Sequence, residues 1–136
     1  MDNQNAVVAD SIVDPVGVTR DDNAAELIEY AVEHLGPSLI LVLGHQRCGA
    51  VEAAVSGKEV PGRVRDVVDA IRPAVQETRD QPGDPVDNAV RAHVRDVVKQ
   101  LKDAGPFLKE RVRAGTLKIV GGRYDLESGK MELVVK

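Results

Sequence analysis

The spacing of hydrophobic residues along this chain alternates between helical periods and short continuous runs. A continuous apolar run over 39–43, between Pro37 and Gly44, is typical of a strand buried on both faces, as in parallel sheets. Upstream of it, Asn23 begins a capping box that apolar residues follow at helical spacing. A further helix is predicted from about residue 49. The pattern therefore predicts a helix, a buried strand and a helix in succession.

The second half of the chain is predicted to be mainly helical. A periodic stretch begins at Val64, and Pro73 is expected to kink or end that helix. A loop over 81–85 precedes a longer helix, and a short helix over 106–113 follows it. The longer helix carries its apolar residues on one face: Val86, Val90, Val94, Val97, Val98 and Leu101.

The last elements complete an α/β fold. Strands over 117–120 and 131–135 are predicted to be joined by a hairpin through Ser128-Gly129-Lys130. We expect a mostly parallel central sheet, with the strand over 39–43 in the middle and helices flanking both faces. The 136 residues, 43% of them hydrophobic, suffice for one core, so residues 1–136 are expected to form a single domain.

The buried strand delivers a histidine and the only cysteine of the chain, His45 and Cys48, to a glycine-flanked turn. Ligands collect at the carboxyl ends of strands in open α/β sheets. Cys48 is also expected near a helix N-terminus, where the helix dipole and free amide groups favour the thiolate that binds zinc. A His-x-x-Cys pair also occurs incidentally in many proteins, and that interpretation stays open beside a zinc site.

The segment that carries these two residues resembles a known metal-binding segment. Gly44-His45-Gln46-Arg47-Cys48-Gly49-Ala50-Val51 is similar to the second zinc-ligand segment of the β-class carbonic anhydrases. Segments over 28–36, 88–90 and 117–130 resemble, in the same order, the family's helix before that strand, its late helix and its closing strand pair. The resemblance implies a zinc cofactor held by His45 and Cys48, and reversible hydration of CO2 to bicarbonate by zinc-bound hydroxide.

The same resemblance implies partners. The substrate would be CO2 or bicarbonate, or another small anion would bind in its place. Because the family forms its sites across a subunit interface, we also expect a homodimer or a higher homo-oligomer.

The amino-terminal part departs from the family pattern. The family's other zinc motif is Cys-x-Asp-Ser-Arg, and its nearest counterpart here has Val8 at the thiolate position and Ile12 at the arginine position. The resemblance makes Asp10 either the catalytic, gating carboxylate or a substitute zinc ligand, and Asp14 is a second candidate ligand. As plain residues, the same stretch is a turn signal, and this alternative stays open. The short spacing to the next helix indicates that a strand and a helix of the family are trimmed.

Other residues with candidate chemistry have simpler explanations. His34 is expected near the end of the first helix, where a cationic imidazole suits the dipole. His93 lies beside the apolar stripe of the long helix and is expected to be structural. Arg47 is expected to be a solvated or salt-bridged loop residue, with attraction of bicarbonate or another anion as the alternative. Tyr30 and Asp125 are expected to serve packing and turn formation.

Composition narrows the function classes. A net charge of −4, a pI near 5.4 and an aromatic content of 2% argue against a nucleic-acid partner. One cysteine excludes an intrachain disulfide. With neither a leader pattern nor an 18-residue apolar span in the sequence, this predicts a cytoplasmic protein without a membrane segment.

Two functions therefore remain open. The first is a β-carbonic-anhydrase-like enzyme, a lyase, with an impaired or rebuilt zinc site. The second is a catalytically silent scaffold of the same fold with a binding, regulatory or oligomeric role. Metal content distinguishes the two.

Overall fold

The computed structural model describes residues 6–8, 22–62 and 64–136, and for residues 6–8 and 22–27 it describes the backbone alone. The described elements are, in chain order, β1 (Ala6–Val8), α1 (Asp22–Leu35), β2 (Leu39–His45), α2 (Gly49–Ser56), α3 (Val64–Thr78), α4 (Pro85–Asp103), α5 (Gly105–Arg113), β3 (Lys118–Tyr124) and β4 (Met131–Val135).

The four described strands form one sheet in the order β1-β2-β3-β4. β2 pairs in parallel with β1 on one side and with β3 on the other, while β4 is antiparallel to β3. Leu39 lies opposite both Ala6 and Lys118, so the three parallel strands are in register at that row. The prediction of an α/β fold with a mostly parallel sheet around β2 is confirmed.

The two faces of this sheet have different surroundings. On the covered face, Ile40 and Val42 of β2 and Ile119 of β3 are buried in the main hydrophobic cluster, together with residues of α1, α4 and α5. The open face carries the alternate residues of the strands. Its members on β2 are half-buried: Leu39, Leu41 and Leu43. Its members on β4 are exposed: Met131 and Leu133.

Helices were expected on both faces, but the described helices pack on one. In the described part of the chain, the clusters that the helices form include Ile40 and Val42 and none of the alternate leucines of β2. The order β1-β2-β3 advances across the sheet in one direction. Right-handed crossovers that advance in one direction place their helices on the same face, which explains the arrangement.

Glycines allow α4 to lie close against the covered face. A Cβ atom at Gly44 would come within 2.7 Å of Val94 Cγ2, and one at Gly121 within 2.5 Å of Val94 Cγ1. Gly121 lies beside Val42 in the register of β2 and β3. The absence of side chains at Gly44 and Gly121 therefore lets Val94 of α4 reach the sheet.

Several element boundaries differ from the predictions. β3, predicted over 117–120, runs from Lys118 to Tyr124. Pro73 does not end its helix, because α3 continues to Thr78 and buries residues on both sides of the proline against its neighbours. This packing outweighs the hydrogen bond that proline cannot donate. α1 begins at Asp22, so Asn23 lies inside its first turn rather than before it. β2 extends two residues beyond the apolar run, through Gly44 to His45.

Candidate metal centre

His45 is the last residue of β2 and lies opposite Tyr124, the last residue of β3. Strand alternation places it on the same side of β2 as Leu41 and Leu43, which is the open face. Its side chain is half-buried. The candidate ligand therefore lies at the carboxyl edge of the parallel strands, on the side that no described helix covers.

A two-residue turn separates His45 from Cys48. Arg47 has a φ of 54°, the left-handed conformation that few non-glycine residues adopt. Cys48 is the N-cap of α2, where its carbonyl oxygen accepts a hydrogen bond from the Glu52 amide at 2.9 Å. Its side chain makes no capping hydrogen bond and is half-buried. The thiol is therefore not engaged in capping the helix that follows it.

The orientation of the His45 ring is set by its own loop. Nδ1 of His45 lies 3.0 Å from the carbonyl oxygen of Gln46. Because a carbonyl oxygen only accepts, a hydrogen bond here requires the proton on Nδ1, which leaves the lone pair on Nε2. A backbone carbonyl holding one ring nitrogen while the other faces the metal is the usual arrangement for a histidine ligand.

A second turn docks on this loop. We call residues 125–130 the β3–β4 turn. The amide of Gln46 donates to the Tyr124 carbonyl at 3.1 Å, and Oε1 of Gln46 accepts from the amides of Leu126 at 2.5 Å and Glu127 at 3.3 Å. Arg47 forms an ion pair with Glu127. The loop between the two candidate ligands is therefore tied to the far end of the chain.

Asp125 shapes that turn, as expected. Its Oδ1 accepts from the amides of Glu127 at 2.8 Å and Ser128 at 3.1 Å, and these hydrogen bonds lower the pKa of Asp125 below its usual range. The amide of Gly129 donates to the Asp125 carbonyl at 2.9 Å. The turn is thus fixed from within as well as by Gln46.

The donors found here fit zinc in kind but not in number. An imidazole nitrogen and a thiolate are typical zinc ligands, and a catalytic site needs about three protein ligands. Within residues 6–8, 22–62 and 64–136, no group of three or more His, Cys, Asp or Glu side chains lies where it could hold a metal. Asp10 and Asp14, the candidates for a further ligand, fall outside the described residues, as does Ile12. Val8 ends β1, opposite Leu41.

The two other histidines lie on helices and are not part of this candidate ligand pair. His34 is exposed in the last turn of α1, with its ring 4.3 Å from that of Tyr30. His93 lies on α4, and burial lowers its pKa to about 4. Its Nε2 is buried without a hydrogen-bond partner in the structure. These placements agree with a helix-end histidine and a structural one.

One charged cluster was not anticipated from the sequence. Asp87 of α4 pairs with Arg91 on the same helix and with Arg123 of β3, and Arg91 also holds Glu132 of β4 in a two-pronged contact of 3.0 and 3.2 Å. Burial opposes the ionised form of Asp87, but hydrogen bonds from both arginines outweigh it and lower its pKa. The i,i+4 spacing of Asp87 and Arg91 was the available signal. The cluster attaches the start of α4 to the covered face.

The architecture and the site together define an α/β protein with a candidate zinc-type ligand pair at the carboxyl edge of a parallel sheet. Comparison with known proteins then gives its family. The family model described as carbonic anhydrase matches residues 5–131. The chain therefore belongs to the carbonic anhydrase family, and it shares its fold with solved β-carbonic anhydrases.

Relatives and solved structures agree with this assignment. A carbonic anhydrase of Mycolicibacterium smegmatis is 39% identical over 126 residues, and carbonic anhydrase 2 of Mycobacterium tuberculosis is 38% identical. The match covers 90% of this chain and 61% of each relative, so the chain spans about three fifths of their length. A tetrameric β-carbonic anhydrase of Sordaria macrospora has a TM-score of 0.76 at 24% identity, over 84% of this chain and 60% of that one. The Coccomyxa β-carbonic anhydrase has a TM-score of 0.76 at 22% identity, over 97% and 72%.

None of the helices in the described part of the chain combines the length and the apolar character that a membrane crossing requires.

Proposed function

We propose that this protein catalyses the reversible hydration of CO2 to bicarbonate at a zinc ion, of which His45 and Cys48 are two ligands. The observation that supports this most directly is the hydrogen bond from His45 Nδ1 to the Gln46 carbonyl, since it leaves Nε2 free to bind a metal. Family membership supplies the reaction class. When bound, zinc supplies the Lewis acidity that makes water nucleophilic toward CO2 at neutral pH.

The residues around His45 suit this chemistry. CO2 is apolar, and His45 shares the open face with half-buried leucines of β2. Arg47 is engaged with Glu127, so bicarbonate would have to compete with that ion pair for its guanidinium. We therefore assign substrate binding to the apolar surface beside His45, and not to Arg47.

The proposal includes a reduced rate. By the resemblance, Val8 stands where the family has a thiolate, and loss of even an outer-shell partner costs a metal site about 10–100-fold in affinity or activity. Asp10 is proposed as the third zinc ligand or as the carboxylate that gates the metal. As a second-ranked function, a catalytically silent scaffold would follow if no third ligand completes the site.

Assembly and compartment are part of the same proposal. Exposed apolar residues on the open face, 44% for Met131 and 45% for Leu133, support a homodimer or larger homo-oligomer that covers them. A thiolate ligand requires a reduced cysteine, which supports a cytoplasmic location.

The first test is the metal content of protein purified without chelator. We expect wild type to contain zinc, and Cys48→Ser and His45→Ala each to lose it together with CO2 hydration in a stopped-flow assay. His34→Ala is the matched control, because that histidine is exposed and remote from the site, and it should retain both. Stoichiometric zinc in both site variants would place the metal elsewhere.

The second test concerns the missing thiolate. If Val8 occupies the family's first ligand position, Val8→Cys should tighten zinc binding by supplying another strong donor, and adding Ile12→Arg should restore a partner for Asp10. The double variant should then hydrate CO2 faster than wild type at matched zinc content. Unchanged zinc affinity and rate would show that the amino-terminal resemblance is accidental and would favour the scaffold.

A further inference from the structure

Gln46, which lies between His45 and Arg47, connects the candidate site to another part of the chain. Gln46 contacts two structures at once. Its carbonyl oxygen accepts from His45 Nδ1, and its amide and side chain are both bound by the chain around the β3–β4 turn. We propose that Gln46 is a positioning residue, which uses the β3–β4 turn to hold the His45 ring with Nε2 presented to a metal. This inference rests on the proposed function in one respect only, which is that the group bound by Nε2 is a metal ion.

Both peptide groups of Gln46 are fixed by hydrogen bonds. The amide on its N-terminal side donates to the Tyr124 carbonyl at 3.1 Å, and the carbonyl on its C-terminal side receives the His45 ring at 3.0 Å. A rotation of either peptide plane would break one of these contacts. The imidazole orientation therefore depends on how firmly Gln46 is held.

The side chain of Gln46 adds a second attachment to the β3–β4 turn. Its Oε1 is the acceptor for two backbone amides of an exposed turn, those of Leu126 and Glu127. Asp125 Oδ1 shares the Glu127 amide at 2.8 Å, which leaves the Leu126 amide at 2.5 Å as the contact that Gln46 alone satisfies. Removing the acceptor would release this amide to water and free the loop.

The residue that follows Gln46 needs such support. Arg47 has a φ of 54°, a conformation that costs a non-glycine residue free energy and persists only where its surroundings enforce it. The ion pair with Glu127 and the contacts of Gln46 both hold this turn against the β3–β4 turn. The conformation of the loop between His45 and Cys48 thus depends on contacts with residues about 80 positions away in the sequence.

The test compares three variants in metal-free and cobalt-loaded protein. Gln46→Met keeps the length of the side chain and removes the acceptor, Gln46→Glu keeps the acceptor, and Gln100→Met on the exposed surface of α4 is the matched control. In metal-free protein, long-range ¹⁵N NMR should show His45 protonated on Nδ1 in wild type and a mixture of tautomers in Gln46→Met. The Leu126 amide should exchange with solvent at least 10-fold faster in that variant.

Cobalt binding gives the second readout. Gln46→Met keeps the backbone carbonyl that receives His45 Nδ1 but loosens its hold, so it should weaken Co²⁺ affinity by up to about 10-fold, the low end of the effect of losing such a partner outright. Gln46→Glu and Gln100→Met should remain close to wild type. A wild-type tautomer and unchanged amide exchange in Gln46→Met would overturn the inference, as would failure of Gln46→Glu to restore them. If Gln46→Met does not fold, an unprotected Leu126 amide in wild type would also overturn it. Absence of metal binding by wild type would contradict the proposed function alone, because the metal-free readouts still decide the role of Gln46.

Discussion

The covered face and the open face of the sheet belong to the same strands, yet they differ in burial and in the residues they present. On the covered face, Ile40 and Ile119 are at most 1% exposed and the valines of α4 fill the row beside them. On the open face, Met131 is 44% exposed and His45 ends the row of β2. The covered face completes a core within one chain. The open face offers apolar surface and a candidate ligand to something outside the described residues.

We therefore expect the covered face to determine the stability of the fold and the open face to determine metal binding and assembly. Substitutions of Ile40, Val42 and Ile119 on the covered face should change the free energy of unfolding, because these side chains are buried in the main hydrophobic cluster. Substitutions on the open face should change metal binding and assembly first. The comparison can therefore be tested with paired substitutions on adjacent residues of one strand.

The largest expected effect is on the covered face of β2. Ile40→Ala should lower the free energy of unfolding by about 2–5 kcal/mol, since it removes a fully buried side chain and leaves a cavity. Leu41→Ala, one residue along and half-buried, should cost about 1 kcal/mol or less in the monomer. Urea denaturation of both variants measures the difference.

The same two variants also test whether the open face is covered in solution. If Leu41→Ala costs as much as Ile40→Ala, then something covers the open face in solution. A dependence of that cost on protein concentration would identify the cover as a second copy of the chain. If the two variants lose equal free energy of unfolding at all protein concentrations, the open face is instead covered by another part of the same chain.

The sequence was sufficient to predict the covered face because hydrophobic periodicity reports burial. The stripe of α4 and the strand over 39–43 follow directly from it. The same run misled on the second face, since Leu39, Leu41 and Leu43 are as apolar as their neighbours although no described helix covers them. Composition alone could not tell surface left for a partner from surface buried within the chain.

Only the candidate ligands of the site could be proposed from the sequence. His45 and Cys48 stand three residues apart and follow a strand, so their pattern is local. The contacts that orient them are not local, because Gln46 meets Leu126 about 80 residues further on. A glutamine in a loop carries no signal for such a partner, and only the parallel register of β2 and β3 brings the two turns together.

The second prediction concerns pH and the buried side of α4. Burial lowers the pKa of His93 from 6.5 to about 4, so the unfolded chain takes up its proton first as pH falls. Stability should therefore decrease progressively from about pH 6.5 to pH 4, by about 3 kcal/mol in all, and change no further through this group below that. His93→Gln should remove this part of the pH dependence, and His34→Gln, at an exposed position, should leave it intact.

Carboxylates near His93 also change the stability with pH, so the contribution of His93 must be measured as the difference between variant and wild type. Glu77, Asp96, Asp103 and Lys99 line the same cavity as His93. Burial first, and then the charge of Glu77, raises the pKa of Asp96, so protonation of Asp96 favours the folded state as pH falls. The measurement is the free energy of unfolding of His93→Gln minus that of wild type at each pH. A flat difference between pH 7 and pH 4 would contradict the assigned role of His93.

The smallest expected effect comes from the glycines of the sheet, Gly44 and Gly121, against which α4 packs. Gly121→Ala would place a Cβ atom 2.5 Å from Val94 Cγ1 and 3.0 Å from Val98 Cγ2, so the helix or the strand must shift. Overpacking of this kind costs about 1–3 kcal/mol. Gly49→Ala is the matched control, because no atom lies within 4 Å of its added Cβ and the residue begins a helix, where alanine is preferred to glycine.

A double variant decides whether the close approach is the cause. Val94→Ala alone should destabilise the protein by leaving a cavity at a buried position. If the Cβ at position 121 collides with Val94, then Gly121→Ala combined with Val94→Ala should cost less than the sum of the two single substitutions, since each relieves the defect of the other. Strict additivity would mean that alanine at 121 acts through the strand backbone. In that case the glycines would not account for the close packing of α4 on the covered face.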